Sequence, residues 1–141
     1  MYTKLKRDKV FFLLIFYAFL LCGDLYAEEA QEGRKFFASH YGLEACAYND
    51  NPECPTASGR SLIGLIKEEE AYAASNDYPL GSSLSVCRSD DSAKCVRVRV
   101  WDRMHRRFTG KRIDLAPASF AELAPLEQGI VEVTIKPTEE I

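Results

Sequence analysis

The stretch VRVRVWDRMHRRFTGKRIDL, residues 96–115, holds the clearest strand of the chain and predicts its fold class. Residues 96–100 alternate valine with arginine, the pattern of a strand with one buried face and one face in water. The same alternation puts Asp102 on the valine side at the end of the strand, where a carboxylate is partly desolvated but reachable by a ligand. A second carboxylate, Asp114, follows a turn that contains Gly110. We therefore predict a mainly β domain with a polar site at this end.

Other segments supply the remaining elements. Residues 35–43 predict a first strand, and residues 82–86 predict a hairpin partner for the valine-rich strand. Residues 118–123 predict a short helix, because Pro117 suits a first helical turn. Residues 130–135 alternate as a closing strand before Pro137. The acidic run at 67–70 is consistent with either a short helical turn or a solvated loop.

The N-terminus has the features of a secretory signal. Basic residues precede an apolar run at 10–21, and Ala27 offers a small residue at a cleavage point. A run of this length is shorter than the roughly 20 residues that a membrane-spanning helix needs. We predict a signal peptide at 1–27, a flexible lead at 28–35, a domain at 36–137 and export to the periplasm, cell envelope or exterior. Lipidation at Cys22 is disfavoured because Leu21, not a small residue, precedes it.

Signal cleavage leaves four cysteines, and an even number in an exported chain predicts disulfides. Three pairings are possible, and the simplest joins Cys46 to Cys54 and Cys87 to Cys95 in two local loops. A zinc site is the alternative. It fails on spacing, because the chain has no Cys-x-x-Cys pair and only two histidines. We expect no metal and no cofactor.

The charge pattern bears on the class of partner. A net charge of −3 argues against nucleic-acid binding. Basic residues nevertheless crowd the interval from Arg97 to Arg112, where Asp102 is the one acid. Two interpretations stay open: a solvated strand face with a basic turn, or a cationic groove for an anionic or polar polymer.

Five short motifs resemble those of three double-psi β-barrel families: rare lipoprotein A, the expansins and the barwin-like proteins. They are FASHYG at 37–42, TASG at 56–59, DR at 102–103, GKRIDL at 110–115 and LAPL at 123–126. The LAPL run is common in expansin-like and barwin-like members. The resemblance implies a six-stranded double-psi β-barrel with short helices, exported and acting on a cell-wall glycan.

The resemblance also implies roles for single residues. Asp102 matches the aspartate of peptidoglycan lytic transglycosylases of the rare lipoprotein A type. Two further polar positions of that family depart from its pattern, because Arg60 stands where a glutamate is usual and Ser75 where a histidine is usual. A lytic transglycosylase needs no activated water, so one carboxylate can act first as the acid and then as the base.

The remaining candidates are substrate-binding residues. On this hypothesis Tyr41, Trp101 and His105 contact the glycan, because aromatic faces stack on sugars and polar tips bind hydroxyls. Asp114 supports the turn or the groove. The alternative for Asp102 is structural: its carboxylate would cap N–H groups of a turn.

Three functions remain open from the sequence. The chain is either a lytic transglycosylase that uses Asp102, a non-lytic expansin-like module that binds or loosens a polysaccharide, or a barwin-like interaction protein. The expected partner is peptidoglycan or a cellulose-like glycan. We expect a monomer that binds no nucleic acid and has no membrane span after cleavage.

Overall fold

The computed structural model describes residues 33–139. Its strands are β1 (Arg34–His40), β2 (Tyr72–Ala74), β3 (Ser83–Arg88), β4 (Cys95–Asp102), β5 (Arg112–Leu115) and β6 (Val131–Pro137). Its helices are α1 (Leu62–Lys67) and α2 (Pro117–Leu123), with 3-10 turns at Leu43–Tyr48, Arg106–Phe108 and Leu126–Gln128. The predicted signal peptide and residues 28–32 lie outside the described part of the chain. No helix within 33–139 is long and apolar enough to cross a membrane.

The strands close into a barrel in the order β1-β5-β2-β4-β3-β6. The pairs β1/β5 and β2/β4 are parallel, and the other neighbours are antiparallel. Each strand therefore has a neighbour on both sides, although the short β2 covers only the last part of β4. The predicted six-stranded barrel with short helices is confirmed.

The barrel interior is filled by the inward face of each strand. In β4 the three valines are at most 6 % exposed while Arg97 faces water, so the predicted alternation is confirmed. Phe120 and Leu123 of α2 close one end of this cluster and are almost fully buried. Each large apolar side chain buried in this way contributes about 1.5–3 kcal/mol.

A second, smaller cluster involves α1. Leu62 and Leu65 of this helix pack with Cys54 and Tyr72, and Trp101 lies against the same cluster. The Ser61 side chain caps the helix by accepting a hydrogen bond from Gly64 N at 3.2 Å. This cluster holds α1 and the loop before it close to the end of β4.

Several elements differ from the sequence predictions. β1 ends at His40 and not at residue 43, and β6 includes Pro137, which pairs with Leu84 although proline was expected to end the strand. β1 begins at Arg34, which pairs with Ile135, so two residues of the predicted lead belong to the strand. α1, which was not predicted, ends at Lys67, and residues 68–70 form a turn and loop after it, in line with the solvated-loop alternative for the acidic run. β2 was not predicted, because all three of its residues are buried and so show no alternation.

Both predicted disulfides are present, Cys46–Cys54 and Cys87–Cys95. The second joins directly opposed residues of β3 and β4, and it therefore fixes the register of the predicted hairpin. The first closes the loop that leads to α1, and its Cys54 is buried in the second cluster.

The two disulfides allow loop closure to be separated from packing, because each joins cysteines eight residues apart. Replacing either pair by alanine should lower the free energy of unfolding by about 2–3 kcal/mol through chain entropy. The Cys46→Ala/Cys54→Ala variant should lose more than the Cys87→Ala/Cys95→Ala variant, because Cys54 is only 5 % exposed. Urea denaturation of both variants measures this difference. Equal losses would contradict a packing role for Cys54.

Candidate functional site

The candidate site is built on a row of residues that crosses four neighbouring strands. Ser39 of β1 pairs with Asp114 of β5, Asp114 pairs with Ala74 of β2, and Ala74 pairs with Asp102 of β4. The register between β2 and β4 shifts by one residue at Trp101, and this bulge brings Asp102 into the row. With strands about 4.8 Å apart, the two aspartate backbones lie roughly 10 Å from each other.

The Asp102 carboxylate is held by three donors. Its Oδ1 accepts hydrogen bonds from Ala57 N and from Arg103 N, both at 2.8 Å. Its Oδ2 accepts one from the Tyr41 hydroxyl at 3.3 Å. The carboxylate therefore does cap turn N–H groups, as the structural alternative proposed. Oδ2 has only one long contact, so it is the oxygen at which a ligand hydroxyl can compete.

Tyr41 lies beside Asp102 and is influenced by the charges of both aspartates. Its ring packs edge-on against Tyr72, with centroids 5.2 Å apart, and the Tyr72 hydroxyl donates to Tyr41 O at 2.9 Å. Burial raises the pKa of Tyr41 far above its usual value, and the negative charges of Asp102 and Asp114 raise it further. The Tyr41 phenol thus keeps its proton and acts as a donor beside the carboxylates.

Asp114 lies at the other end of the row. It accepts a hydrogen bond from the Ser39 hydroxyl. We refer to Asp102, Tyr41, Asp114 and Ser39 as the Asp102 strip. The strip presents two carboxylates with a phenol and an alcohol beside them, and all four groups can exchange hydrogen bonds with hydroxyls.

The rim of the site is fixed by residues 75–78. Asn76 Nδ2 donates to Met104 O at 3.0 Å, and Asp77 Oδ2 accepts from Gly110 N at 2.8 Å. The Arg103 guanidinium donates to Tyr78 O at 2.7 Å and to Ser75 O. The Arg103 side chain is thus engaged by two backbone carbonyls and forms no ion pair within residues 33–139. The turn after β4 is held to β2 by this network.

Trp101 is placed beside the strip but is partly covered. The Arg60 guanidinium lies 4.8 Å from the ring centroid and that of Arg99 lies 5.6 Å away. The indole Nε1 donates to Glu70 at 3.2 Å. The Trp101 ring, which was predicted to stack on a sugar, is therefore already stacked with two arginines. A sugar would have to displace Arg60 to reach the face of the ring that it covers.

Neither residue at the two altered family positions supplies an acid or a base to Asp102. Ser75 is completely buried, and its hydroxyl accepts from Asp77 N at 3.2 Å. Arg60 forms ion pairs with Glu68 at 2.9 Å and Glu70 at 3.8 Å. Asp102 has no glutamate or histidine partner among the contacts of residues 33–139.

The histidines serve other contacts. His105 Nδ1 accepts from Arg107 N at 3.2 Å, which caps the 3-10 turn, while its ring remains exposed at the rim. His40 packs on Phe120, with centroids 4.9 Å apart, and its Nε2 lies 3.2 Å from Leu126 O. Of the predicted glycan contacts, Tyr41 is hydrogen-bonded to Asp102 and Asp114 lies in the same row two strands away, whereas Trp101 and His105 lie at the margin.

Sequence reasoning missed two members of the site, the Ala57 N–H and the Ser39 hydroxyl. A backbone donor carries no residue signature, although the TASG motif marked its turn. Ser39 follows the predicted alternation of β1, and only the pairing with β5 gives it a partner. No cluster of three potential metal ligands occurs within residues 33–139.

A separate hollow of about 720 Å³ lies where α1 and α2 approach the turn after β1. Four glutamates line it together with apolar side chains: Glu44, Glu69, Glu70 and Glu122. Neither Asp102 nor Asp114 lines this hollow. The strip is an open surface feature and not part of this cavity.

No protein-family model and no curated protein matches the chain. Solved structures do match. The apo expansin of Clavibacter michiganensis aligns with a TM-score of 0.55 and 21 % identity over 77 % of this chain. An aspartate-to-asparagine mutant of that expansin, solved in complex with cellohexaose, aligns with a TM-score of 0.55 and 19 % identity over the same share. The chain has the double-psi β-barrel fold.

Two further matches are smaller proteins. The Streptomyces papain inhibitor aligns with a TM-score of 0.53 and 24 % identity, over 77 % of this chain and 98 % of the inhibitor. Cerato-platanin 3 of M. perniciosa aligns with a TM-score of 0.51 and 11 % identity, over 74 % of this chain and 94 % of that protein. The chain spans about half the length of the expansin, 51 % in both forms. The expansin-like and barwin-like resemblance of the sequence is confirmed at the level of fold.

Tyr72 gives the site a testable pH dependence. Burial raises its pKa to about 12. Its proton is thus retained in the folded state over a range, from about pH 10 to 12, in which an unfolded tyrosine loses it. Stability should fall across this window, and it should fall less steeply in Tyr72→Phe, which has no phenol to ionise. At pH 7 the free energy of unfolding of the same variant should be about 1 kcal/mol lower than that of the wild type, because the hydrogen bond to Tyr41 O is gone.

Chemical denaturation at a series of pH values measures both effects. Tyr48→Phe is the matched control, because it also removes one phenolic hydroxyl but from a side chain that is 95 % exposed. It should leave the stability at pH 7 unchanged. If the stability of Tyr72→Phe fell with rising pH as steeply as that of the wild type, the assignment of this pH dependence to Tyr72 would be contradicted.

Proposed function

We propose that this chain is a non-lytic, expansin-like module that binds a cell-wall polysaccharide across the Asp102 strip. The observation that carries the proposal is the row from Ser39 to Asp102. It places Ser39 one strand spacing from Asp114 and Asp114 two strand spacings from Asp102 along one face, without a second catalytic group beside Asp102. Carboxylates and phenols of this kind recognise sugar hydroxyls by hydrogen bonding.

The contacts of Asp102 favour binding over lysis. A general acid must deliver a proton to the glycosidic oxygen. Here Oδ1 already accepts two backbone hydrogen bonds, and Oδ2 faces a phenol that is itself a donor. Arg60 and Ser75 engage other partners and supply no auxiliary acid or base. The expansin solved with cellohexaose has the same barrel, which is consistent with a glycan ligand for this chain.

The proposal extends to location and assembly. Two disulfides form and persist in an oxidising compartment. We propose that the chain is exported by its N-terminal signal, and that it acts as a monomer on an insoluble glycan.

Binding to purified cellulose and to peptidoglycan sacculi tests the proposal. The wild-type chain should co-sediment with at least one polymer. Asp102→Asn and Tyr41→Phe should each weaken binding about 5- to 100-fold, because each removes one buried or charge-assisted hydrogen bond. Tyr48→Phe keeps the strip intact and should bind as the wild type does. Sedimentation that is unaffected by either strip variant would sink the assignment of the site.

Mass spectrometry of the peptidoglycan supernatant separates binding from lysis. We expect no anhydro-muropeptides from the wild type. Their release by the wild type, but not by Asp102→Asn, would instead establish a lytic transglycosylase with Asp102 as its acid and base.

A second candidate is a protein-binding module of the barwin-like type. It is favoured by the loop between Cys46 and Cys54, which the disulfide closes and which presents Tyr48 with 95 % of its surface exposed. Side chains of Asn49 and Asn51 accept backbone hydrogen bonds within this loop and stiffen it. A rigid, exposed tyrosine is typical of interface anchors. The match over nearly the whole length of a papain inhibitor fits a chain of this size.

Inhibition of papain tests this candidate. A protein-binding loop predicts inhibition by the wild type that Tyr48→Ala weakens at least about tenfold, the usual cost of losing an aromatic anchor. Asp102→Asn should then inhibit as the wild type does. Absence of inhibition by the wild type would remove papain-like proteases as the partner.

A further inference from the structure

A cluster of basic side chains without acidic partners lies next to the Asp102 strip. We refer to Arg106, Arg107, Lys111 and Arg112 as the basic end. None of the four forms an ion pair in the described part of the chain, residues 33–139. Elsewhere in the same range arginines do find carboxylates, as Arg88 does with Asp90 at 2.6 Å. The basic end is therefore a concentration of positive charge that the fold leaves unneutralised.

Two of these arginines are ordered by one aromatic ring. The guanidinium carbon of Arg107 lies 4.6 Å from the centroid of Phe108, and that of Arg112 lies 4.7 Å from it. Stacking of this kind fixes the plane of a guanidinium while leaving its N–H edge free to donate. Arg107 and Arg112 are thus ordered before a hydrogen-bond acceptor approaches from solvent, unlike long side chains that move freely in water.

The basic end continues the Asp102 strip. Arg112 and Asp114 are two residues apart on β5, so they share one face of the strand about 7 Å apart. The strand partner of Arg112 is Phe37, which is 48 % exposed, and that of Asp114 is Ser39. A chain of sugars lying over Asp102 and Asp114 can therefore extend over Phe37 and Arg112 without leaving the surface of β1 and β5.

The surroundings of the basic end stay positive. A hollow of about 290 Å³ beside it is lined by Lys35, Phe37, Lys111 and Glu132, among others. Glu132 forms no ion pair within residues 33–139, and the same is true of Asp114. When Lys35 and the Arg34–Asp77 pair beside Gly110 are included, three carboxylates lie near six cations. The local field attracts anions.

We propose that the basic end selects an acidic glycan, with Arg107 and Arg112 binding carboxylates of the polymer whose neighbouring sugars occupy the Asp102 strip. This inference rests on the proposed polysaccharide binding and specifies its substrate class. Arginine suits the role because its planar N–H fork matches a carboxylate, and such charge-assisted bonds are about twice as strong as neutral ones. A neutral glycan gains nothing from this end of the surface.

The test compares an acidic and a neutral hexasaccharide as probes, hexagalacturonate and cellohexaose. Titration calorimetry of the full mature chain at low salt should give tighter binding of hexagalacturonate. Arg107→Gln/Arg112→Gln should weaken that binding at least about tenfold through the loss of two charge-assisted contacts, and should change cellohexaose binding less than about twofold. Raising the salt concentration from 50 to 300 mM should weaken the binding of hexagalacturonate but not that of cellohexaose.

The matched control is Arg97→Gln/Lys136→Gln. It removes the same amount of charge from two exposed residues that flank Ser85 of β3, on the side of the closed barrel opposite β5. It should bind both probes as the wild type does. A loss equal to that of Arg107→Gln/Arg112→Gln would mean that net charge alone matters, and would overturn the inference. Arg107→Lys/Arg112→Lys keeps the charge without the fork, and should recover only part of the affinity.

The outcomes for the two proposals are distinguishable. Asp102→Asn should weaken the binding of both probes if glycans bind on the Asp102 strip. If Asp102→Asn changes neither probe while Arg107→Gln/Arg112→Gln still weakens hexagalacturonate, the strip assignment fails and the acidic specificity of the basic end stands. Wild-type affinity for hexagalacturonate in a folded Arg107→Gln/Arg112→Gln variant, with its melting temperature unchanged, overturns the inference whatever the strip does.

Discussion

The position of β2 between β4 and β5 is the constraint on which the site depends. This strand has only three residues, yet Ala74 pairs with Asp102 on one side and with Asp114 on the other. The shift of register at Trp101 decides which residue of β4 faces Ala74. Without that bulge, Trp101 and not Asp102 would pair with Ala74, and the two aspartates would not lie in one row.

The loops around the barrel serve to hold that row in place. The Ala57 N–H reaches Asp102 because α1 and the Cys46–Cys54 disulfide pin the preceding loop against the second cluster. Asn76 and Asp77 hold the turn after β4 in the same way, by bonds to its backbone. Rigid elements therefore position each polar group before any ligand arrives, and this lowers the entropic cost of binding.

Charge is distributed unevenly along this surface. Two aspartates and a protonated tyrosine occupy one part, and unpaired arginines stacked on Phe108 occupy the next. Both parts follow from β5, whose outward residues are Arg112 and Asp114 while Ile113 and Leu115 fill the core. Because its residues alternate between buried and outward positions, β5 contacts the hydrophobic interior and also contributes to both the acidic and the basic part of the surface. Such a surface suits a long polar polymer better than a small ligand, which would occupy one part alone.

From the sequence, alternation and cysteine spacing predict the hairpin of β3 and β4 and the simplest disulfide pairing, because both are local signals. Its short motifs predict the six-stranded barrel by resemblance and nominate the candidate site residues Tyr41, Trp101, Asp102, His105 and Asp114. Folding adds what the sequence did not predict: β2 is a strand, Arg60 stacks on Trp101, Ser39 and the Ala57 N–H contact the two aspartates, and Arg107 and Arg112 stack on one ring. Most of these contacts join residues far apart in the chain, and the stacking on Phe108 joins near neighbours whose side-chain conformations the charge pattern does not predict. Their geometry is set by strand register and packing, which no local pattern encodes.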